Sequence, residues 1–281
     1  MVITTEITKT VFEQHVPSAR MPERSTSVFE RLTNMFQVAY DALIMNIISP
    51  ACEQQLDNNA RLKSQVVRYV CLDAFSLTVR SLDLVLTATG FGIVSTESMA
   101  PASKTRVDAL LEEVEVAKLR TRDVLLQLMR CASGWAETDA ARSSIPTLFY
   151  LAGMVETCSA YALTSQNWQK ARAAAIMADS HLRREISDEY MDELLRKARS
   201  STMEAADIII LEKCNRFTGD CVSQSISGNG VFPNEALLRA VVHQLESYPT
   251  SYPTYVQSSV YRFRHAERYK NKKEDPSFFF M

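Results

Sequence analysis

The stretch Ser27-Val28-Phe29-Glu30-Arg31-Leu32-Thr33-Asn34-Met35-Phe36-Gln37-Val38-Ala39-Tyr40-Asp41-Ala42-Leu43-Ile44-Met45-Asn46-Ile47-Ile48-Ser49-Pro50 decides the fold class. Phe29, Leu32, Phe36, Leu43 and Ile47 recur at helical spacing, and Val28, Met35, Ile44 and Ile48 widen the stripe into a core-facing surface. Pro50 ends the pattern, because proline has no N–H to continue a helix.

The same period governs most of the chain. A second helix is predicted from about Asp57 to Leu82, with Leu62, Val66, Tyr69, Val70 and Leu77 inward. A long one follows from Ser103 to about Arg130, with Val107, Leu110, Leu111, Val114, Leu125 and Leu128 on its apolar face. Further helical stretches read from about Pro146 to Leu163 and from a Thr164 or Ser165 cap to Ile186. Another opens at Ser187, where a serine cap and acids in the first turn complement the helix dipole. Glu204–Ile226 follows, with Ile208, Leu211, Phe217 and Val222 to one side. The last helix starts at Pro233 or Asn234 and ends near Ser247. Only seven glycines occur in 281 residues, and the nine prolines lie almost entirely between these stretches, a distribution that favours helices over many short strands.

Two exceptions stand out. Leu84-Val85-Leu86-Thr87 and Phe91-Gly92-Ile93-Val94-Ser95 read as short strands around Gly90, a hairpin over 84–95. Beyond Ser247 the chain carries Pro249, Pro253 and Pro276 and reads as an extended tail. The expected class is therefore mainly α: a multi-helix bundle, one β-hairpin and an extended C-terminal tail. The expected organisation is an N-terminal arm 1–23 with a short strand near Val2 to Ile7, a helical half 24–130 with the hairpin, a second half 144–247, and the tail 248–281. The polar segment 131–143, with Gly134, marks the internal division, although 24–247 also reads as one compact domain.

Composition excludes several classes of function. The apolar share of 46% supports a full core, and a net charge of -2 argues against bulk attraction to nucleic acid. No apolar run reaches the roughly 18 residues of a membrane span. Residues 1–14 lack an apolar signal-peptide core, which predicts no secretion by that route. Cys52, Cys71, Cys131, Cys158, Cys214 and Cys221 form no C-x-x-C pair and mostly sit in apolar helical patterns, as reduced core thiols do. His15, His181, His243 and His265 have no helical metal-ligand partner. No Walker loop, nucleophile elbow or dinucleotide fingerprint occurs. The acids Glu112, Glu113 and Glu115, and Asp188, Glu189, Asp192 and Glu193, read as solvated helix faces and dipole partners. No catalytic, cofactor-binding or metal-ligating residue is assigned, no cofactor is expected, and the chain reads as a non-enzyme.

The tail is the unusual part. Tyr248, Tyr252, Tyr255, Tyr261, Phe263 and Tyr269 interleave with Arg262, Arg264, Arg268, Lys270, Lys272 and Lys273, and Phe278-Phe279-Phe280 follow. Basic-aromatic spacing suits stacking on a nucleic-acid strand, and it suits a protein interface, where Tyr and Arg are favoured anchors. The phenylalanine cluster favours protein contact; packing of the tail on its own domain stays open. The partner-docking candidates are Phe278, Phe279, Phe280, Tyr269 and Arg268, and the hairpin-contact candidates are Phe91 and Ile93.

Thr87-Ala88-Thr89-Gly90-Phe91-Gly92-Ile93-Val94-Ser95, with Ala100-Pro101-Ala102-Ser103-Lys104 and Arg106-Val107, resembles a segment of an uncharacterised family from phages and prophages of Bacteroides and relatives. Ile186-Ser187-Asp188-Glu189-Tyr190 with Leu194-Leu195, Tyr252-Pro253-Thr254-Tyr255 with Ser258, and Asn271-Lys272-Lys273-Glu274-Asp275 with Phe278-Phe279-Phe280 are similar to further parts of that family. Its members commonly end in glycine where this chain has Met281. In layout the family resembles head–tail connector (neck adaptor) proteins. The resemblance implies a structural virion protein, assembled in the bacterial cytoplasm, that forms a homo-oligomeric ring. It implies a portal or other neck protein as partner and indirect proximity to DNA; no membrane contact is expected, since no apolar run is long enough to span one. The alternative is a nucleic-acid-associated accessory protein using 261–273. No catalytic residue is implied by the resemblance.

Overall fold

The computed structural model describes residues 3–16, 26–82, 84–87, 90–93 and 103–267; for 26–28, 84–87 and 90–93 it describes the backbone alone. The fold is mainly α. After a 3₁₀ turn at Ile3–Glu6 come α1 (Lys9–His15) and α2 (Thr26–Leu43), which continues as a π-helical turn, Ile44–Ile48. A 3₁₀ turn at Pro50–Cys52 leads to α3 (Gln55–Asn58) and α4 (Ala60–Thr78). Between α4 and α5 (Lys104–Met129), the backbone of β1 (Leu84–Thr87) lies antiparallel to β2 (Gly90–Ile93), with Leu84 opposite Ile93 and Thr87 opposite Gly90. Then follow α6 (Asp139–Ser144), α7 (Met154–Ser159), α8 (Ser165–Ile186), α9 (Asp188–Ser200), α10 (Ala205–Ser227), α11 (Glu235–Ser247), α12 (Pro253–Gln257) and α13 (Ser259–Arg264).

Helix starts follow local chemistry. Asn59, Thr138, Thr164, Ser187 and Asn234 each accept a backbone N–H of the first turn through the side chain, and Glu204 with Asp207 forms a reciprocal box at the head of α10. The faces follow the apolar period, with two corrections: Leu77 and Ile208 point to solvent. On α10 the buried line is Ile210, Cys214, Phe217, Cys221 and Val222, so the inward face lies two residues past Ile208.

The N-terminal segment is a 3₁₀ turn and a helix. Ile3 and Ile7 are both buried, and their spacing of four suits one helical face as well as a strand. Phe12 of α1 packs its ring against Phe29, Phe36 and Phe75, at centroid distances of 6.4, 6.1 and 6.1 Å.

The stretch 146–163 is helical only over α7. Residues before it have their polar backbone satisfied by side chains of α5. The Asp123 carboxylate accepts the N–H groups of Ala152 and Gly153 at 2.9 and 2.8 Å, and Arg122 donates to the carbonyls of Tyr150 and Ser144 at 3.1 and 3.0 Å. With those groups paired, no helical ladder is needed there.

Segment 131–143 contributes to the core. Trp135 is fully buried, and Ala141 and Ile145 lie beside it in one cluster that extends from Ile3 through α2, α4, α9 and α10 to Tyr255. A smaller cluster holds Phe149, Val155, Leu163, Trp168 and the alanine stripe Ala171, Ala174 and Ala175 against Val222. Gly219 on α10 sits where a Cβ would lie 2.3 Å from the Cys158 carbonyl oxygen, so α7 and α10 approach only because that side chain is absent.

Candidate functional site

The segment read as an extended tail begins as structure. Pro249 opens a 3₁₀ turn and Pro253 opens α12, each at a first-turn position that a proline's fixed φ suits; Ser258 caps α13 by accepting the Tyr261 N–H at 3.2 Å. Prolines at this spacing start helices here, which corrects the expectation of an extended chain over 248–264. Tyr252 and Tyr255 are buried at 2% and 0% exposure, within the main core.

Their receptor is Tyr190 on α9, itself 2% exposed. Its ring lies edge-on to Tyr252 at 6.0 Å and tilted against Tyr255 at 6.4 Å; Tyr255 meets Tyr261 at 5.4 Å, and Tyr261 stacks on His265 at 4.0 Å. The Tyr252 hydroxyl donates to the Ala206 carbonyl at 3.3 Å. Burial, reinforced by the Asp207 charge, pushes the Tyr190 hydroxyl well above the usual tyrosine range.

Arg264, the last residue of α13, completes the anchor. Its guanidinium reaches Glu185 at the end of α8 at 2.6 Å and Glu246 at the end of α11 at 3.8 Å, and donates to the Tyr255 hydroxyl at 3.3 Å. The Tyr255 hydroxyl donates in turn to Glu246 at 3.3 Å. One cation thus joins three helices at the point where the chain continues to residue 265. The other side of α13 faces solvent: Phe263 is 86% exposed, and Arg262 and His265 are exposed beside it. Tyr248 is also exposed, at the foot of α11. Such a face offers contact through an aromatic ring and positive charge.

Of the docking candidates, Arg268, Tyr269, Phe278, Phe279 and Phe280 lie outside the described residues. Phe91 and Ile93 belong to β2, where the backbone alone is described. Of the basic-aromatic series, Tyr252 and Tyr255 are spent in the core, Tyr261 is stacked on His265, and Phe263 is free. Sequence reasoning missed Tyr190 and Glu185 as partners of this segment. The signal was present, since Tyr190 and Tyr252-Pro253-Thr254-Tyr255 stand in separate motif blocks, but nothing in the sequence pairs them.

Five of the seven acidic groups read from the sequence take structural partners. Glu112 accepts the Ser165 N–H and hydroxyl, and Glu115 pairs with Lys118 at 2.8 Å. Asp188 and Asp192 pair with Arg183, and Glu193 with Lys197. Among the described residues no group of three or more His, Cys, Asp or Glu side chains is arranged to hold a metal ion, and no single helix is long and apolar enough to cross a membrane. Beside Arg122, Trp168 and Arg172 lies a cavity of about 10 Å³, the order of one water molecule.

The model of a family of unknown function (DUF6712) matches residues 35–143, from the middle of α2 to α6. No curated protein and no solved structure matches the chain. Over 35–143 the chain is similar to that family, and this similarity takes in the π-helical turn, the strand pair and buried Trp135.

Proposed function

We propose that the chain is a structural assembly subunit, a head–tail connector of a phage neck, without catalytic activity. Copies associate head to tail into a closed ring. The chain beyond residue 267 docks on a portal or neighbouring neck protein through Arg268, Tyr269 and Phe278–Phe280, and the strand pair with Phe91 and Ile93 contacts the adjoining subunit. The observation that supports this reading is the anchor at Tyr252–Arg264. A docking segment that starts from a fixed point loses less freedom on binding than one that starts from a loose end. Arg264 fixes such a point against α8 and α11, and Phe263 adds an exposed ring beside it. The motif blocks that resemble the Bacteroides phage and prophage family support the virion setting.

The test compares the full chain with a version lacking 276–281, by light scattering after gel filtration, alone and with purified portal protein. The full chain is expected to form a ring or to bind portal, and the shortened chain to keep its helical spectrum and lose that assembly. Unchanged assembly of the shortened chain overturns the docking role. A DNA titration at low and high salt decides the nucleic-acid alternative, since phosphate contacts impose a steep salt dependence.

A further inference from the structure

Phe263 and Phe232 are the most exposed large apolar side chains among the described residues, at 86% and 72%. They lie at opposite ends of one helical layer. Lys170, near the start of α8, donates to the Ile226 carbonyl near the end of α10 at 3.2 Å, so the two helices run antiparallel. Phe232 stands between the end of α10 and the start of α11. Phe263 belongs to α13, which Arg264 ties to the far ends of α8 and α11. With 22 residues in α8 and 23 in α10, these ends are roughly 33 Å apart at about 1.5 Å per residue.

A single exposed ring is ordinary on a protein surface. What sets Phe232 apart is how its backbone is held. The Gln224 side-chain carbonyl accepts the Phe232 N–H at 2.7 Å, and the Gln224 amide donates to the Phe232 carbonyl at 3.1 Å and to Asp220 at 2.8 Å. Gly228 closes α10 at φ 81°, Gly230 turns the chain at φ 74°, and a Cβ on Gly230 would stand 3.4 Å from the Phe232 ring. On one side Val231 packs against both apolar clusters; on the other Asn234 caps α11 by accepting the N–H groups of Ala236 and Leu237. The loop is thus fixed on both sides of a ring that buries little of itself in its own fold. A ring held this way loses little freedom when another surface covers it, which suits a contact anchor.

The charges near the two rings differ in sign. Glu235, three residues past Phe232, is exposed, and Asp220 holds the clamp; neither pairs with a cation among the described residues, and Lys170 is engaged by the Ile226 carbonyl. Beside Phe263, Arg262 and His265 are exposed, and Arg262 donates to the Gln257 carbonyl with no carboxylate partner. After Glu267 the sequence runs on through Arg268, Lys270, Lys272 and Lys273, so the chain leaves this end as a basic stretch.

We propose that the Phe232 loop of one copy docks on the Phe263 end of the next, ring against ring, with Glu235 towards Arg262 and the basic stretch that follows. Each copy gives Phe232 on one side and receives on Phe263 at the other, so the contact is head to tail. It rests on the ring reading above and names a subunit surface for it, separate from residues 276–281.

Sedimentation of the full chain beside Phe232→Ser and Phe263→Ser tests it. Both side chains are exposed, so both variants are expected to keep the parent's helical spectrum and urea midpoint. The parent is expected to associate beyond a dimer, and each variant to associate at least about tenfold more weakly. An equimolar mixture of the two variants restores one contact, through the intact Phe263 of one and the intact Phe232 of the other, and is expected to stop at the dimer. Gln224→Ala keeps the ring and frees its loop, and is expected to weaken association about threefold or more. Parent-like association of either phenylalanine variant overturns the proposal, as does a mixture that stays monomeric or a Gln224→Ala variant that associates like the parent. A parent chain that stays monomeric by itself also overturns it; binding to portal, lost on removing 276–281, then still carries the proposed function.

Discussion

Trp135 donates its indole N–H to the Ile47 carbonyl at 2.7 Å, across 88 positions of sequence, with both residues in the main core. Ile47 belongs to the π-helical turn that ends α2, and Ser144 donates to the neighbouring Asn46 carbonyl at 2.9 Å. The segment 131–144 thus supplies donors to carbonyls that the end of a helix leaves unpaired. Trp135→Phe keeps an aromatic ring in place and removes the donor. It is expected to lower unfolding free energy by about 1–3 kcal/mol, the cost of a buried carbonyl left without its partner, read as a lower urea midpoint at unchanged slope.

Gly219→Ala adds one methyl group where a Cβ meets the Cys158 carbonyl oxygen at 2.3 Å and its carbon at 2.9 Å. Backbone cannot yield as a side-chain tip does, so α7 has to move away from α10. A loss of about 1–3 kcal/mol is expected, although alanine is the better helix former. A variant as stable as the parent in thermal unfolding refutes this close approach.

Residues 252–264 belong to the body. A chain ending at Glu267 is expected to unfold at the parent temperature, and one ending at Ser247 at a clearly lower temperature, since it loses Tyr252, Tyr255 and the Arg264 bridge together. Tyr252→Ala is expected to cost about 3 kcal/mol or more, as truncation of a buried aromatic ring does. Equal midpoints for the two shortened chains refute the anchor.

Thiol chemistry gives a pH-dependent expectation. Burial pushes Cys71 and Cys214 up to about 12 and Cys221 up to about 11, from an ordinary 9.0. The folded state therefore holds these protons to higher pH than the unfolded chain. The stability they contribute is complete below about pH 9 and is lost as pH rises towards the folded values. The urea midpoint is expected to fall between about pH 8.5 and pH 11, and a triple serine variant at the three sites to show a shallower fall. At neutral pH a thiol reagent is expected to label exposed Cys131 and to spare Cys71, Cys214 and Cys221 until the chain unfolds.

The α class and most helix limits were legible because their causes are local. Thr164, Ser187 and Asn234 cap helices through N–H groups two or three residues away, and the stripe Leu32, Phe36, Leu43 and Ile47 follows from the helical period alone. Where reading failed, a distant partner intervened. The stretch 146–153 is irregular where Arg122 and Asp123, more than twenty residues earlier, hold the Tyr150 carbonyl and the Ala152 and Gly153 N–H groups. The polar look of 131–143 concealed Trp135, whose donor is matched only by the turn at Ile47. The docking candidates from Arg268 onward fall beyond the described residues, and what the structure adds is the place from which they start.

The sequence by itself determined that this chain is built of helices, and where most of them start and stop, because period and capping act over three or four residues. Only the tertiary structure decided that Tyr252 and Tyr255 serve the core, that Arg264 ties α13 to α8 and α11, and that Ser187 is held in a backbone it would not choose. Those outcomes depend on groups from separate helices meeting in one place. Burial and pairing there outweigh local preference, and no short-range pattern encodes them.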